Sequence, residues 1–211
     1  ILEFNQIIDA IVKNMTITGG IDGGIYCHDS DPTFQNMIVR DNTEQTYSKG
    51  AINLDACDAT LIDVLIQDNI GGTGGIKISR GAPYLKNVVL IDNWGSMRGG
   101  GIFFRQNTTA ILDSVIISNN IGHLGGGIYI SNAAPILNNV QITNNHANYS
   151  YLNNAGGIYM EGQDWDENHP TLVNVTIADN TADLEFDDEY LFGEILLANS
   201  VSPIIVNSII W

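Results

Sequence analysis

Apolar residues along this chain come in short bursts that alternate with polar ones, and the bursts recur. One copy runs from Pro83 to Asn93, with Leu85, Asn87, Val88 and Leu90 in fixed order, and is followed after a loop by Gly100, Gly101, Ile102 and Phe104. The Asn that closes the second burst returns at Asn42, Asn69, Asn93, Asn120, Asn145 and Asn180, with separations of 27, 24, 27, 25 and 35 residues. The Ile after Gly returns in step at Ile25, Ile52, Ile76, Ile102, Ile128, Ile158 and Ile195. Side chains of a strand point to opposite faces with period two, so the alternation predicts three short strands per unit, each with one buried side.

The first strand is expected to bury Phe34, Leu61, Leu85, Leu112, Leu137, Leu172 and Ile205. The second buries pairs such as Met37 and Val39, Val64 and Ile66, or Val140 and Ile142, and the third buries pairs such as Ile76 and Ile78 or Ile128 and Ile130. Val12, Met15 and Ile17 take inward positions in an opening coil. No unit closes a core alone, but units stacked in register place Ile on Ile and Val on Val along a continuous interior. The predicted fold is therefore an all-β solenoid of about seven to eight coils, three short strands each. A β-sandwich with Asn-Gly hairpins leaves the coil-length recurrence unexplained. Asn and Gly at the corners tolerate left-handed backbone, and Asn side chains stacked rung on rung can hydrogen-bond along the column.

The run Asn139 to Asn145, with Gly125 to Tyr129, resembles the repeat of secreted right-handed parallel β-helix proteins of bacteria, and the ending Asn207 to Trp211 resembles the last recognisable coil of such proteins. The chain is more loosely similar to the Gly-Gly-x-Ile repeats of chlamydial polymorphic outer-membrane proteins, whose Phe-x-x-Asn element it does not repeat. The resemblance implies a right-handed solenoid, and one such fold hosts lyases, hydrolases, adhesins and inert stalks.

Charge narrows the choice. Eight Lys and Arg against 24 Asp and Glu give a formal net charge of −16, which repels nucleic acid and anionic membranes and makes cations plausible partners. No apolar run reaches the roughly 18 residues of a membrane-spanning helix. Cys27 and Cys57 do not form a disulfide framework or a metal motif; counted along the coil path they are offset by about 10 Å, which predicts two free thiols.

Motifs for catalysis are absent: there is no HExxH, CxxC or GxSxG, and Gly71 to Gly75 before Ile76 and Lys77 belongs to the coil repeat rather than to a phosphate loop. No catalytic residue is assigned. Lys77, Arg80, Arg98 and Arg105 make a small basic patch suited either to acidic sugars or to a solvated rim. A lyase resembling the pectate enzymes would need a basic residue beside a Ca²⁺-bridged uronate. The carboxylates and Gly-His-Gly expected of galacturonase-like hydrolases are not reproduced by Gly122-His123-Leu124 and Asp187-Asp188. His28, His123, His146 and His169 are expected in corners, at the surface.

Outward on the third strand, Phe103, Tyr129 and Tyr159 fall in consecutive coils, with Tyr26 farther along the row. At about 4.8 Å between coils such rings form an aromatic strip for sugar rings or an ordinary stabilising ladder. Phe103, Tyr129, Tyr159 and Trp165 are the candidate ligand-binding residues. Insertions at residues 146–155, 161–169 and 181–192 interrupt the repeat, and loops on a rigid solenoid carry function. Their Asp164, Asp166, Glu167, Asp187 and Asp188 are candidate Ca²⁺ ligands, although neither spacing is that of an EF-hand. No cofactor is required by any motif. Ile38, Leu65, Val89 and Ile116 line the outside of the second strand, where a docked domain or subunit would sit.

The resulting expectation is a single β-helix domain over residues 1–211, part of a longer chain, acting as a secreted or cell-surface bacterial scaffold for adhesion, assembly or display. The alternative is a carbohydrate-active enzyme or carbohydrate-binding module. Neither end carries a recognisable cap, so flanking segments or head-to-tail copies are expected to cover the terminal coils.

Overall fold

The computed structural model describes residues 1–46, 48–148, 154–162, 169–183, 193–199 and 201–211, and in them every regular element is a β-strand. The strands form three sheets of eight, thirteen and five strands, and all named strand pairs are parallel. A sandwich of hairpins is thereby excluded, because a hairpin pairs its strands antiparallel.

A full rung contains four strands rather than the expected three, as in Tyr84–Lys86, Val89–Ile91, Trp94–Gly95 and Ile102–Arg105. The additional two-residue strand follows the corner Asn directly, and it is too short to show alternation in the sequence. Counted by corner Asn the solenoid has about six turns, slightly fewer than the seven to eight expected. The first two strands of a rung run together in Asp31–Arg40 and Thr60–Gln67.

Register carries the packing. Ile25, Ile52, Ile76, Ile102, Ile128, Ile158 and Ile195 are successive partners in the eight-stranded sheet. Phe34, Leu61, Leu85, Leu112, Leu137 and Leu172 form a second column, and these residues belong to one buried apolar core with the Ile column up to Ile158. Each fully buried aliphatic side chain contributes about 1.5–3 kcal/mol relative to exposure. Met15 and Ile205 depart from expectation: they pair with Met37 and Leu172 in register yet are exposed. Each has a covering rung on one side only. Val12 and Ile17 are half-buried against the same core.

Two kinds of residue divide the corner between them. Asp41, Asp68, Asp92, Asn119, Asn144 and Asp179 take the left-handed backbone, with φ from 52° to 59°. The following Asn turns inward and is buried. Its amide donates to the next Asn up the stack, as from Asn93 to Asn120 at 3.0 Å and from Asn120 to Asn145 at 3.0 Å. At the far end Asn180 donates to the Glu194 carboxylate at 2.7 Å, so a different acceptor continues the column. Glycine is required where rungs touch: a Cβ on Gly101 would lie 2.7 Å from Gly127 O and from Ile117 Cγ2.

The expectation of two free thiols is overturned. Cys27 and Cys57 form a disulfide with Cα atoms 6.2 Å apart, and both are buried. The offset along the coil path does not measure their distance through space. Ala56, with φ 50°, turns the chain at the end of Ile52–Asp55 and sends Cys57 into the interior toward the neighbouring rung.

Candidate functional site

The outer face of the eight-stranded sheet presents two side-chain columns. One runs Tyr26, Asn53, Lys77, Phe103, Tyr129 and Tyr159, and the other His28, Asp55, Ser79, Arg105, Ser131 and Glu161. The columns divide into a polar groove and an aromatic block.

The aromatic block holds three of the four expected ligand-binding residues. Phe103 and Tyr129 lie with centroids 5.0 Å apart, and Tyr129 stacks on Tyr159 at 5.3 Å. Their exposures are only 6%, 0% and 9%, so they form a second small core with Ala155 rather than an open strip of ring faces. Arg98 caps them: its guanidinium sits 5.0 Å from the Tyr129 centroid and donates to the Tyr129 hydroxyl at 2.8 Å. That hydroxyl donates in turn to Glu161, which also accepts from Ser131 at 3.0 Å. Burial, then the Glu161 contact, pushes the Tyr129 hydroxyl well above the ordinary tyrosine range. Trp165 lies outside the described residues.

The groove beside this block is basic. A cavity of about 280 Å³ is lined by Lys49, Lys77, Arg80 and Arg105 with Tyr26 and Asp55, and a second of about 210 Å³ shares Lys77 and Arg105 and adds Arg98. Five of the chain's eight basic residues thus converge here, against the net charge of −16. Two are already paired, Lys49 with Asp22 at 2.7 Å and Arg80 with Asp55 at 2.6 Å. Among the described residues no ion pair engages Lys77, Arg98 or Arg105. Burial pushes the Lys77 ammonium below the ordinary lysine value, Arg105 adds to the shift, and Asp55 and Glu44 oppose it. For Asp55, burial works upward but the Arg80 hydrogen bonds and charge outweigh it, holding the carboxyl low. The result is a recess of unspent positive charge suited to an anionic ligand.

Sequence reasoning identified Lys77, Arg80, Arg98 and Arg105 and missed Lys49 and Glu44. Glu44 is only 4% exposed and pairs in register with a column otherwise filled by Gly71, Gly95, Gly122, Ala147 and Ala182. A carboxylate in a column of Gly and Ala was the available signal.

The remaining candidates are placed as follows. Asp164, Asp166, Glu167, Asp187 and Asp188 lie outside the described residues, and among the described residues no three His, Cys, Asp or Glu side chains are grouped to hold a metal. The insertions at 146–155 and 181–192 start side by side, His146 pairing with Thr181 and lying 3.3 Å from Asp183. His28 and His146 sit in strands rather than corners. Ile38, Leu65, Val89 and Ile116 do form one outward row, which ends at Gln141. No helix of the described residues is long and apolar enough to cross a membrane.

Comparison with known families agrees with the geometry. A family model described as the right handed beta helix region matches residues 24–210, and the chain belongs to that family. The match extends over the whole groove. No curated protein and no solved structure is significantly similar to the chain.

Proposed function

We propose that the protein is a secreted or cell-surface bacterial β-helix whose rigid rod displays an adhesive groove for an acidic glycan. The observation that carries this reading is the gathering of Lys49, Lys77, Arg80, Arg98 and Arg105 on one sheet face of an otherwise acidic protein. A general surface charge would spread these residues, and a purely structural role would pair Lys77, Arg98 and Arg105 as Lys49 and Arg80 are paired. A buried Cys27–Cys57 disulfide supports an oxidising compartment. Phe103 and Tyr129, covered as they are, brace the groove's edge and hold Arg98.

The test is calorimetric titration with a hexameric oligogalacturonate, with neutral maltohexaose as control. Binding of the acidic oligomer alone is expected, weakening with salt as screening shortens to about 8 Å at physiological ionic strength. Lys77→Gln with Arg105→Gln should weaken it by about tenfold or more, since hydrogen bonds to charged groups are worth about 1.5–3 kcal/mol each. Equal binding by the double variant, or none by the native chain to uronate or sulfated oligomers, refutes the reading.

A second reading, a lyase acting on the same glycan, is favoured by one observation: Lys77 lines the groove with Arg98 and Arg105, no ion pair among the described residues engages it, and burial lowers its proton affinity. Unsaturated uronate products from polygalacturonate would establish it.

A further inference from the structure

We propose that Glu44 is the positioning residue of the basic groove: its buried carboxylate folds the loop that places Lys49 and tethers Lys77. This inference rests on the groove being the binding site.

Glu44 occupies an inward position where other rungs carry Gly or Ala, and at the adjacent Gly71 a Cβ would lie 2.7 Å from Thr73 O and 2.9 Å from Lys49 O. The site is built for a small residue, so a carboxylate there needs a set of donors that such a residue does not. It has them. One oxygen accepts the Thr46 N–H at 2.6 Å and the Thr46 hydroxyl. The other accepts the N–H groups of Ser48 and Lys49, both at 3.1 Å, and that of Gly72 on the next rung at 3.3 Å. A buried anion held by four backbone donors fixes the path of the chain around it.

The far end of that path reaches the groove through two neighbouring residues. Lys49 leaves the loop to pair with Asp22 and lies 5.8 Å from the Tyr26 ring centroid. Ser48 turns its carbonyl oxygen toward the groove, where it accepts from the Lys77 ammonium. Lys77 is therefore aimed by a backbone carbonyl rather than neutralised by a carboxylate, and its charge stays available to a ligand. The Glu44 charge also favours the protonated form of Lys77.

The substitution that isolates this role is Glu44→Ala, because Ala147 and Ala182 fill the same column elsewhere and the existing Cβ is kept. Two readouts are needed on the full chain. Acylation of lysines with an amine-reactive ester, mapped by mass spectrometry, reports the Lys77 tether without any ligand, with the exposed Lys13 and Lys86 as internal standards. Titration with hexameric oligogalacturonate reports the groove. In Glu44→Ala the Lys77 rate is expected to rise toward that of Lys86, and affinity to fall about tenfold with the melting temperature held as a separate readout. A merely structural Glu44 would lower the melting temperature and leave both readouts of the folded protein unchanged, which overturns the proposal. If the native chain binds no oligogalacturonate, the reading of the groove falls, and the Lys77 rate still decides whether Glu44 positions it. If Glu44→Ala does not fold, Glu44→Gln, which keeps the shape and removes the charge, decides by the same two measurements.

Discussion

Replacing Asn120 with alanine removes a side chain that makes five hydrogen bonds inside the solenoid. Its amide nitrogen donates to the carbonyls of Leu90 and Ser118 and to Asn145 Oδ1, each at 3.0 Å. Its oxygen accepts from the backbone and the side chain of Asn93, both at 3.0 Å. Four of these bonds are buried and the one to Ser118 is partly so, and water does not replace the lost partner at the buried ones. Leaving a buried donor or acceptor unmade costs about 1–3 kcal/mol per group. With the Asn93 N–H and at least one further group orphaned, the expected loss is about 3–5 kcal/mol. Asn139 provides the contrast. It is exposed, takes φ 53°, and its side chain makes outer contacts, accepting from Asn174 at 3.3 Å and hydrogen-bonding the Asp113 carboxylate. Its replacement by alanine is expected to cost about 1–2 kcal/mol, the penalty of left-handed backbone without a suitable side chain. Urea unfolding followed by circular dichroism compares the two at equal slope. If Asn120→Ala is no more destabilising than Asn139→Ala, the buried ladder is not what holds the rungs together.

Alkylation of the denatured, unreduced chain is expected to add nothing to Cys27 or Cys57, and replacing both by alanine should cost about 3–4 kcal/mol by the loop-entropy relation for a crosslink spanning 30 residues; full alkylation without reductant would refute the bond. Glu44 and Asp55 both have carboxyls held below their ordinary values of 4.5 and 3.8 in the folded chain. For Glu44 burial works upward, and the hydrogen bonds from Thr46, Lys49 and Gly72 more than offset it. Their contribution is complete above those ordinary values and is lost as pH falls through the lowered ones. The urea midpoint should therefore begin to drop near pH 4.5 and continue downward, and Glu44→Ala should flatten the early part of that drop; an unchanged profile would show that the loop does not depend on the Glu44 charge.

What could be read from the sequence, and what could not, separates along one line. The columns Ile25 to Ile195 and Phe34 to Leu172 were legible because a parallel solenoid repeats its environment, so a residue type that suits one rung suits the next. Departures have a shared cause, which is that the sequence records a residue's place along the coil and not what lies across it. Cys57 is offset from Cys27 along the path and bonded to it through the interior, because Ala56 turns the chain there. Tyr129 points outward from the solenoid, as its alternation required, yet Arg98 and the neighbouring rings cover it. Met15 points inward and is exposed, because among the described residues a rung covers it on one side only. For the groove the same logic runs in reverse. Lys49, Lys77, Arg98 and Arg105 are scattered over 57 positions of sequence, and the rung spacing of about 4.8 Å brings them onto one face. A chain that repeats apolar columns to build its rod can place its chemistry at the outward positions between them, as at Lys77 and Arg105, or by breaking the repeat. The Glu among Gly and Ala at position 44 is such a break, and that is why its loop is where the groove acquires its form.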